Sequence, residues 1–155
     1  DWVGINYYTR SLIKIDPSES FLGYKSINGD LDITNMGWEI FPKGLRILIE
    51  RFHKEYSKKI PIYITENGMA NNDVIIDGKI NDSKRIKFYS DHLVECFKLL
   101  ENGIPLKGYF AWSLLDNFEW AFGYSKRFGL VHVDFDNLTR VPKLSWKEFR
   151  RYLKS

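Results

Sequence analysis

Apolar and polar residues alternate over residues 3–8, where Val3, Ile5 and Tyr7 interleave with Gly4, Asn6 and Tyr8. A period of two predicts a strand, here with polar groups on one face. From Pro42 the period lengthens: Leu45, Leu48, Ile49, Phe52 and Tyr56 recur at helical spacing, and a proline fits the first helical turn. Residues 60–65 are apolar and rich in β-branched side chains, which predicts a second strand. Asp82 is placed to cap a helix with Ile86, Tyr89, Leu93, Phe97 and Leu100 on one side, and Asn102-Gly103 stops it before Pro105. A third strand is expected over residues 108–114. Residues 129–135 alternate again as a short hairpin strand, and Ser145-Trp146-Lys147-Glu148 has capping-box spacing for a last helix.

Two connections stand out. Residues 9–41 are long for a linker and carry Asp16-Pro17, Asn28-Gly29 and Met36-Gly37-Trp38; loops of that length in a compact domain are usually functional. Asp77-Gly78, between Val74-Ile75-Ile76 and Lys79-Ile80, predicts a small hairpin. The order strand, helix, strand, helix, strand, helix, with strands that read as buried on both faces, is an α/β pattern with parallel strands. A (β/α)8 barrel needs eight strands and roughly 250 residues, so the pattern fits the last part of a barrel or a small three-layer α/β domain.

Composition narrows the function classes. The 155 residues are 44% hydrophobic and 16% aromatic, enough for a globular core and for flat apolar faces at a site. The charge of +3 is spread along the chain without a basic stripe, so neither nucleic acid nor a membrane surface is an expected partner. No apolar run approaches the roughly 20 residues of a membrane-spanning helix. A lone cysteine, Cys96, points to a reducing compartment, and a cytoplasmic location is expected. The chain opens directly into a strand, without an initiator Met or signal peptide, as the middle of a longer gene does. His53, His92 and His132 lack ligand spacing, and neither a metal nor a cofactor is expected. Asp116, Glu39 and Asp91 read as solvated or helix-supporting charges.

The candidate chemistry begins with Glu66. It ends the strand Ile62-Tyr63-Ile64-Thr65 just before Asn67-Gly68, which reads as a turn. In a barrel that is where catalytic carboxylates sit; a turn carboxylate in water explains the heptapeptide equally well.

Residues 108–130 (GYFAWSLLDNFEWAFGYSKRFGL), taken with residues 62–68 (IYITENG), Asn6-Tyr7-Tyr8 and Met36-Gly37-Trp38-Glu39, closely resemble glycoside hydrolase family 1, the β-glucosidases and β-galactosidases. The resemblance runs from residue 1 to the C-terminus, with the motifs in order. It implies that residues 1–155 are the C-terminal portion of a single (β/α)8 barrel domain, contributing its sixth, seventh and eighth strands. By match to the motifs, Glu66 is the nucleophile of a retaining β-glycosidase and Tyr8 orients it. Glu119 and Trp120 bind the outer hydroxyls of the nonreducing sugar, Trp112 lies under that sugar, and Phe128 stands near its hydroxymethyl group. Trp38 lies between the glycone and aglycone subsites, and Asn6 is a polar residue of the same pocket. The implied substrate is a β-linked glucoside or oligosaccharide. Glu119 would repel a phosphate dianion, which favours neutral glycosides and leaves glucose and galactose unresolved.

A retaining mechanism also needs an acid/base carboxyl group. The family carries it in an Asn-Glu-Pro motif after the fourth strand, and that motif is not in these residues. The implied partner is therefore the N-terminal part of the same barrel, and the isolated chain is expected to be inactive. The alternatives are a noncatalytic sugar-binding or scaffold member of the fold, or an inactive fragment.

Overall fold

The computed structural model describes residues 1–19, 21–56 and 59–154. In order, the chain forms β1 (Val3–Asn6), a hairpin of β2 (Leu12–Ile15) and β3 (Tyr24–Ile27), then α1 (Pro42–Glu55) and β4 (Ile62–Asn67). A small hairpin of β5 (Ile75–Ile76) and β6 (Lys79–Ile80) follows, then α2 (Ser83–Glu101) and β7 (Leu106–Ala111). Beyond a 3-10 turn at Trp120–Phe122 lie the hairpin β8 (Val131–Val133) and β9 (Arg140–Pro142), and last α3 (Leu144–Tyr152).

β1, β4 and β7 form one sheet in that order, and both pairings are parallel. Parallel neighbours need crossover connections, which α1 and α2 supply. Ile62 and Ile64 point from β4 onto Leu45 and Ile49 of α1 and Leu99 of α2, all fully buried. Each such side chain contributes about 1.5–3 kcal/mol relative to exposure. A second core of Met69, Phe88, Tyr89, Leu130 and Phe149 joins α2 and α3.

Several expectations change here. The sheet is covered on one face only: Trp2, Tyr63, Thr65 and Phe110 line a shallow apolar recess on the other, so the strands are not buried on both faces. β1 stops at Asn6, and β7 starts earlier than residue 108 and ends at Ala111. The connection after β1 contains the β2–β3 hairpin, whose strands leave Ile13 and Ile15 exposed and so lack clean in/out alternation. Leu48 of α1 and Tyr56 just beyond its end face outward, leaving Leu45, Ile49 and Phe52 as the inner stripe. On α2 the buried residues are Arg85, Phe88, Tyr89, His92, Glu95, Cys96 and Leu99, while Phe97 and Leu100 are exposed. The apolar count misplaced that face because Arg85 and His92 are buried on it: Arg85 is paired with two aspartates, and His92 Nδ1 lies 2.7 Å from the Phe88 carbonyl.

Asp82 does precede α2, but its carboxylate is occupied by Arg85 and by the Ser145 backbone N–H and hydroxyl. Ser145 consequently lies inside α3, behind an N-cap at Lys143, and forms no capping box. Asp77 and Gly78 turn at φ 50° and 69°, the left-handed pair that a tight hairpin requires. No described helix is long and apolar enough to cross a membrane.

Candidate active site

Strict alternation along β4 would send Glu66 to the helix side with Ile62 and Ile64. It does not go there. Toward β1, Ile5 pairs with Ile64 but Asn6 pairs with Glu66; toward β7, Tyr109 pairs with Ile64 but Ala111 pairs with Asn67. Both neighbours thus count one extra residue in β4 between Ile64 and Asn67. A bulge of this kind re-aims a side chain, and here it turns the Glu66 carboxylate to the C-terminal end of the sheet.

The Tyr8 hydroxyl donates a 2.6 Å hydrogen bond to Glu66 Oε2. Burial, then the hydrogen bond to Glu66 and the charge of Glu66, raises the Tyr8 pKa, so the phenol stays a donor. Thr65 donates to Asn6 Oδ1 at 2.6 Å on the adjoining strand.

Asn67-Gly68 is not a solvent turn. Asn67 is fully buried; its amide donates to the Tyr7 carbonyl at 2.6 Å, its side-chain oxygen accepts from the Tyr109 hydroxyl, and its carbonyl accepts from the Trp112 N–H at 2.8 Å. Gly68 is required because a Cβ there would stand 1.8 Å from the Trp112 carbonyl oxygen. The ends of all three strands are therefore knitted together beneath the site. The Trp112–Ser113 peptide is cis.

Two loops close over this floor. Residues 28–39 bring Trp38 to 5.5 Å from Tyr8 and 6.3 Å from Phe128, ring centre to ring centre. Glu39 anchors that loop: it is buried, accepts from Arg10 Nε at 2.6 Å and the Leu31 N–H at 3.1 Å, and its carbonyl accepts from the Thr9 hydroxyl. The solvated role read from sequence is corrected for Glu39, while Asp91 does pair with Lys87 along α2. Residues 112–128 carry Glu119 and Trp120, the latter largely exposed and at φ 42°, a strained conformation for so large a side chain. Lys126 reaches across to the Asn35 carbonyl at 2.7 Å and links the two loops.

Asn6, Tyr8, Trp38, Glu66, Trp112, Glu119, Trp120 and Phe128 line one cavity of about 540 Å³, joined by Met36, Ala121 and Phe122. Residues read from distant segments converge without exception. Met36, Ala121 and Phe122 lie inside the quoted motifs, and their apolar character offered no separate signal. Trp38 is also a wall of a neighbouring recess of about 660 Å³ that includes Arg10, Asp30 and Glu39. Within the site cavity, burial raises the Glu119 pKa and the charge of Glu66 raises it further. Two carboxylates among aromatic faces, three of them indoles that each carry an N–H donor, form a surface for a polyol ring.

The sequence profile described as glycosyl hydrolase family 1 matches residues 1–155. The chain belongs to glycosyl hydrolase family 1. It is 46% identical to β-glucosidase A of Thermotoga maritima over 144 residues, which is 92% of this chain and 32% of that protein. Its fold superposes on the family 1 β-glucosidase of Exiguobacterium antarcticum B7 with a TM-score of 0.96 at 44% identity, covering 99% of this chain and 34% of that one. A Thermotoga maritima β-glucosidase in complex with galacto-hydroximolactam gives 0.93 at 44% identity, covering 99% and 34%. The chain thus spans about a third of the length of these family 1 relatives. Their fold places it in a TIM barrel architecture, of which this chain forms a partial α/β unit with a parallel sheet.

Proposed function

We propose that this chain supplies the nucleophile side of a retaining β-glycosidase that hydrolyses neutral β-glucosides or β-galactosides. One observation carries the reading: at the C-terminal end of a parallel sheet, the bulged Glu66 is held through Oε2 by Tyr8 in a cavity lined by the other candidate residues. The barrel strands contributed are the sixth, seventh and eighth, and the acid/base carboxyl comes from the remainder of the barrel. By the intact enzyme we mean this chain together with that remainder.

In the first step Glu66 Oε1, the oxygen Tyr8 leaves open, attacks the anomeric carbon. The bond to the aglycone oxygen breaks as the external acid protonates it, giving a covalent glycosyl-enzyme. In the second step water, deprotonated by the same external group, attacks that carbon and frees Glu66. Glu119 and Trp120 grip the outer hydroxyls, Trp112 supports the ring, Phe128 borders the hydroxymethyl group, and Asn6 adds a polar wall. Trp38 divides glycone from aglycone. The paired charges of Glu66 and Glu119 disfavour a phosphorylated sugar, which supports neutral substrates.

The test is a 2-fluoroglucoside inactivator on the intact enzyme, followed by peptide mass mapping. A glycosyl mass on Glu66 is the expected result. Tight sugar binding with no adduct would replace the enzyme by a noncatalytic sugar-binding protein. Strong turnover of a chromogenic β-glucoside by the isolated chain would overturn the external acid/base.

A further inference from the structure

Asp116 reads as a surface charge in the sequence, yet it is 4% exposed and is a hub of the loop that carries Glu119. Its Oδ1 accepts from the Gly129 N–H at 2.8 Å and from Lys143 Nζ at 2.9 Å. Its Oδ2 faces Arg127 Nη1 at 3.3 Å, the Val133 N–H at 3.4 Å and His132 Nδ1 at 3.3 Å. Lys143, fully buried, also reaches Asp73 at 2.6 Å, and Asp73 in turn binds Arg85 at 2.8 Å. Arg85 completes the circuit by donating to the Arg127 carbonyl at 2.7 Å, one residue from Phe128.

These contacts gather at the neck of the loop. Backbone bonds from Leu130 to Ser113 and from Val131 to Leu114 close the same neck. Toward the tip the hydrogen bonds are local: Glu119 N–H to the Gly123 carbonyl, Phe122 N–H to the Glu119 carbonyl and Gly123 N–H to the Trp120 carbonyl. Local bonds fix the shape of the tip but not its distance from Glu66. Beyond the neck, Lys126 links to Asn35, the Tyr124 ring centre lies 4.1 Å from that of Phe135, and the Asn71 N–H donates to the Arg127 carbonyl at 3.2 Å, so the neck shares the placement with these contacts.

We propose that Asp116 is a positioning residue for sugar recognition, setting through Gly129, Arg127 and Lys143 how far Glu119 and Trp120 reach into the cavity. The inference rests on the reading of Glu119 and Trp120 as the groups that grip the outer sugar hydroxyls. A charged carboxylate with fixed donors holds a geometry that the neutral amide of Asn does not reproduce, because its NH₂ faces donors.

The test compares kcat/KM of the intact enzyme for a β-glucoside and for the analogues lacking the C4 or C6 hydroxyl. Asp116→Asn is expected to shrink that discrimination at least about fivefold, chiefly by lowering kcat/KM for the hydroxylated substrate. Lys143→Met attacks the same neck from the other side and is expected to shrink it in the same direction. A ratio taken on one preparation is independent of how much protein has folded, so a merely structural role leaves it unchanged. An unchanged ratio in both variants overturns the proposal. Glu119→Gln separates the premise: if it leaves the discrimination intact, the reading of Glu119 fails and the role of Asp116 falls with it.

Discussion

Asn6 stands opposite Glu66 in the β1–β4 ladder, where a regular register would place Thr65. That one-residue step brings Glu66 within reach of Tyr8, two residues beyond Asn6. Tyr8→Phe removes the 2.6 Å hydrogen bond while keeping the ring. We expect kcat/KM of the intact enzyme to fall about tenfold or more, the usual scale for a hydrogen bond to a charged group. Because the Tyr8 pKa is raised, its hydroxyl stays protonated through the working range, and the loss should be the same from about pH 5 to pH 8. A loss confined to one end of a steady-state pH profile would contradict this.

Glu119 couples to Glu66 electrostatically. Burial raises the Glu119 pKa and the Glu66 charge adds to it, so binding that uses the Glu119 carboxylate weakens as pH falls through that raised value. Glu66→Gln removes the added charge. Calorimetric titration with a nonhydrolysable glucoside analogue should show the acidic loss of affinity moving to lower pH in that variant; movement to higher pH would reverse the assignment.

Gly68 has no room for a methyl group, since a Cβ would meet both the Trp112 carbonyl oxygen and its carbon. Backbone cannot rotate aside as a side chain does. Gly68→Ala should therefore destabilise the fold by about 1–3 kcal/mol, as overpacking does, and lower catalytic efficiency by parting Trp112 from the end of β4. Thermal unfolding and steady-state rates on the same sample check both effects.

Arg85 pairs with Asp73 and Asp82 with no solvent exposure at any of the three side chains. Arg85→Met leaves Asp82 buried without a cation and Asp73 with Lys143 alone, and is expected to cost about 3–5 kcal/mol at pH 7 in chemical denaturation. The acid dependence follows from Asp73. Burial opposes its ionisation, but Arg85 and Lys143 outweigh burial and hold its pKa below the usual carboxylate value. A depressed folded-state pKa contributes stability above the unfolded value of about 3.9 that is lost as pH falls further. The variant should show a shallower loss of stability between about pH 4 and pH 2 than the parent.

The uncovered sheet face should make the isolated chain associate. Trp2 and Phe110 are 60% and 56% exposed beside Tyr63, an apolar arrangement that monomers rarely leave in water. Sedimentation velocity should show concentration-dependent association, reduced by Trp2→Ser with Phe110→Ser. A monomer at all concentrations would mean that this face is tolerated in water.

The site was more legible in the sequence than its supports. Glu66, Trp112 and Glu119 lie in contiguous motifs, and their convergence needs only parallel strands with loops at one end. The bulge was not legible, because Ile-Thr-Glu-Asn carries no residue that marks an extra position in one strand. Nor was the inner face of α2: hydrophobic periodicity favours Phe97 over Arg85, and only the pairing with Asp73 and Asp82 makes Arg85 the buried one. Asp116 was misread for the same reason, since its partners Gly129 and Lys143 approach it only after β8 and β9 have folded back. Ser145 shows the converse, a sound local capping signal overruled by a distant carboxylate.

The loop clamped at Asp116 has a consequence for how such a protein diversifies. Its neck is held by buried charges and its tip, from Asn117 to Lys126, projects largely into solvent. The residues that hold the loop are therefore distinct from those at its tip, although the neck sets how far the tip reaches. The tip is an exchangeable cassette, open to grafting from relatives with other sugar preferences, while the barrel beneath continues to fold on the same salt-bridged frame.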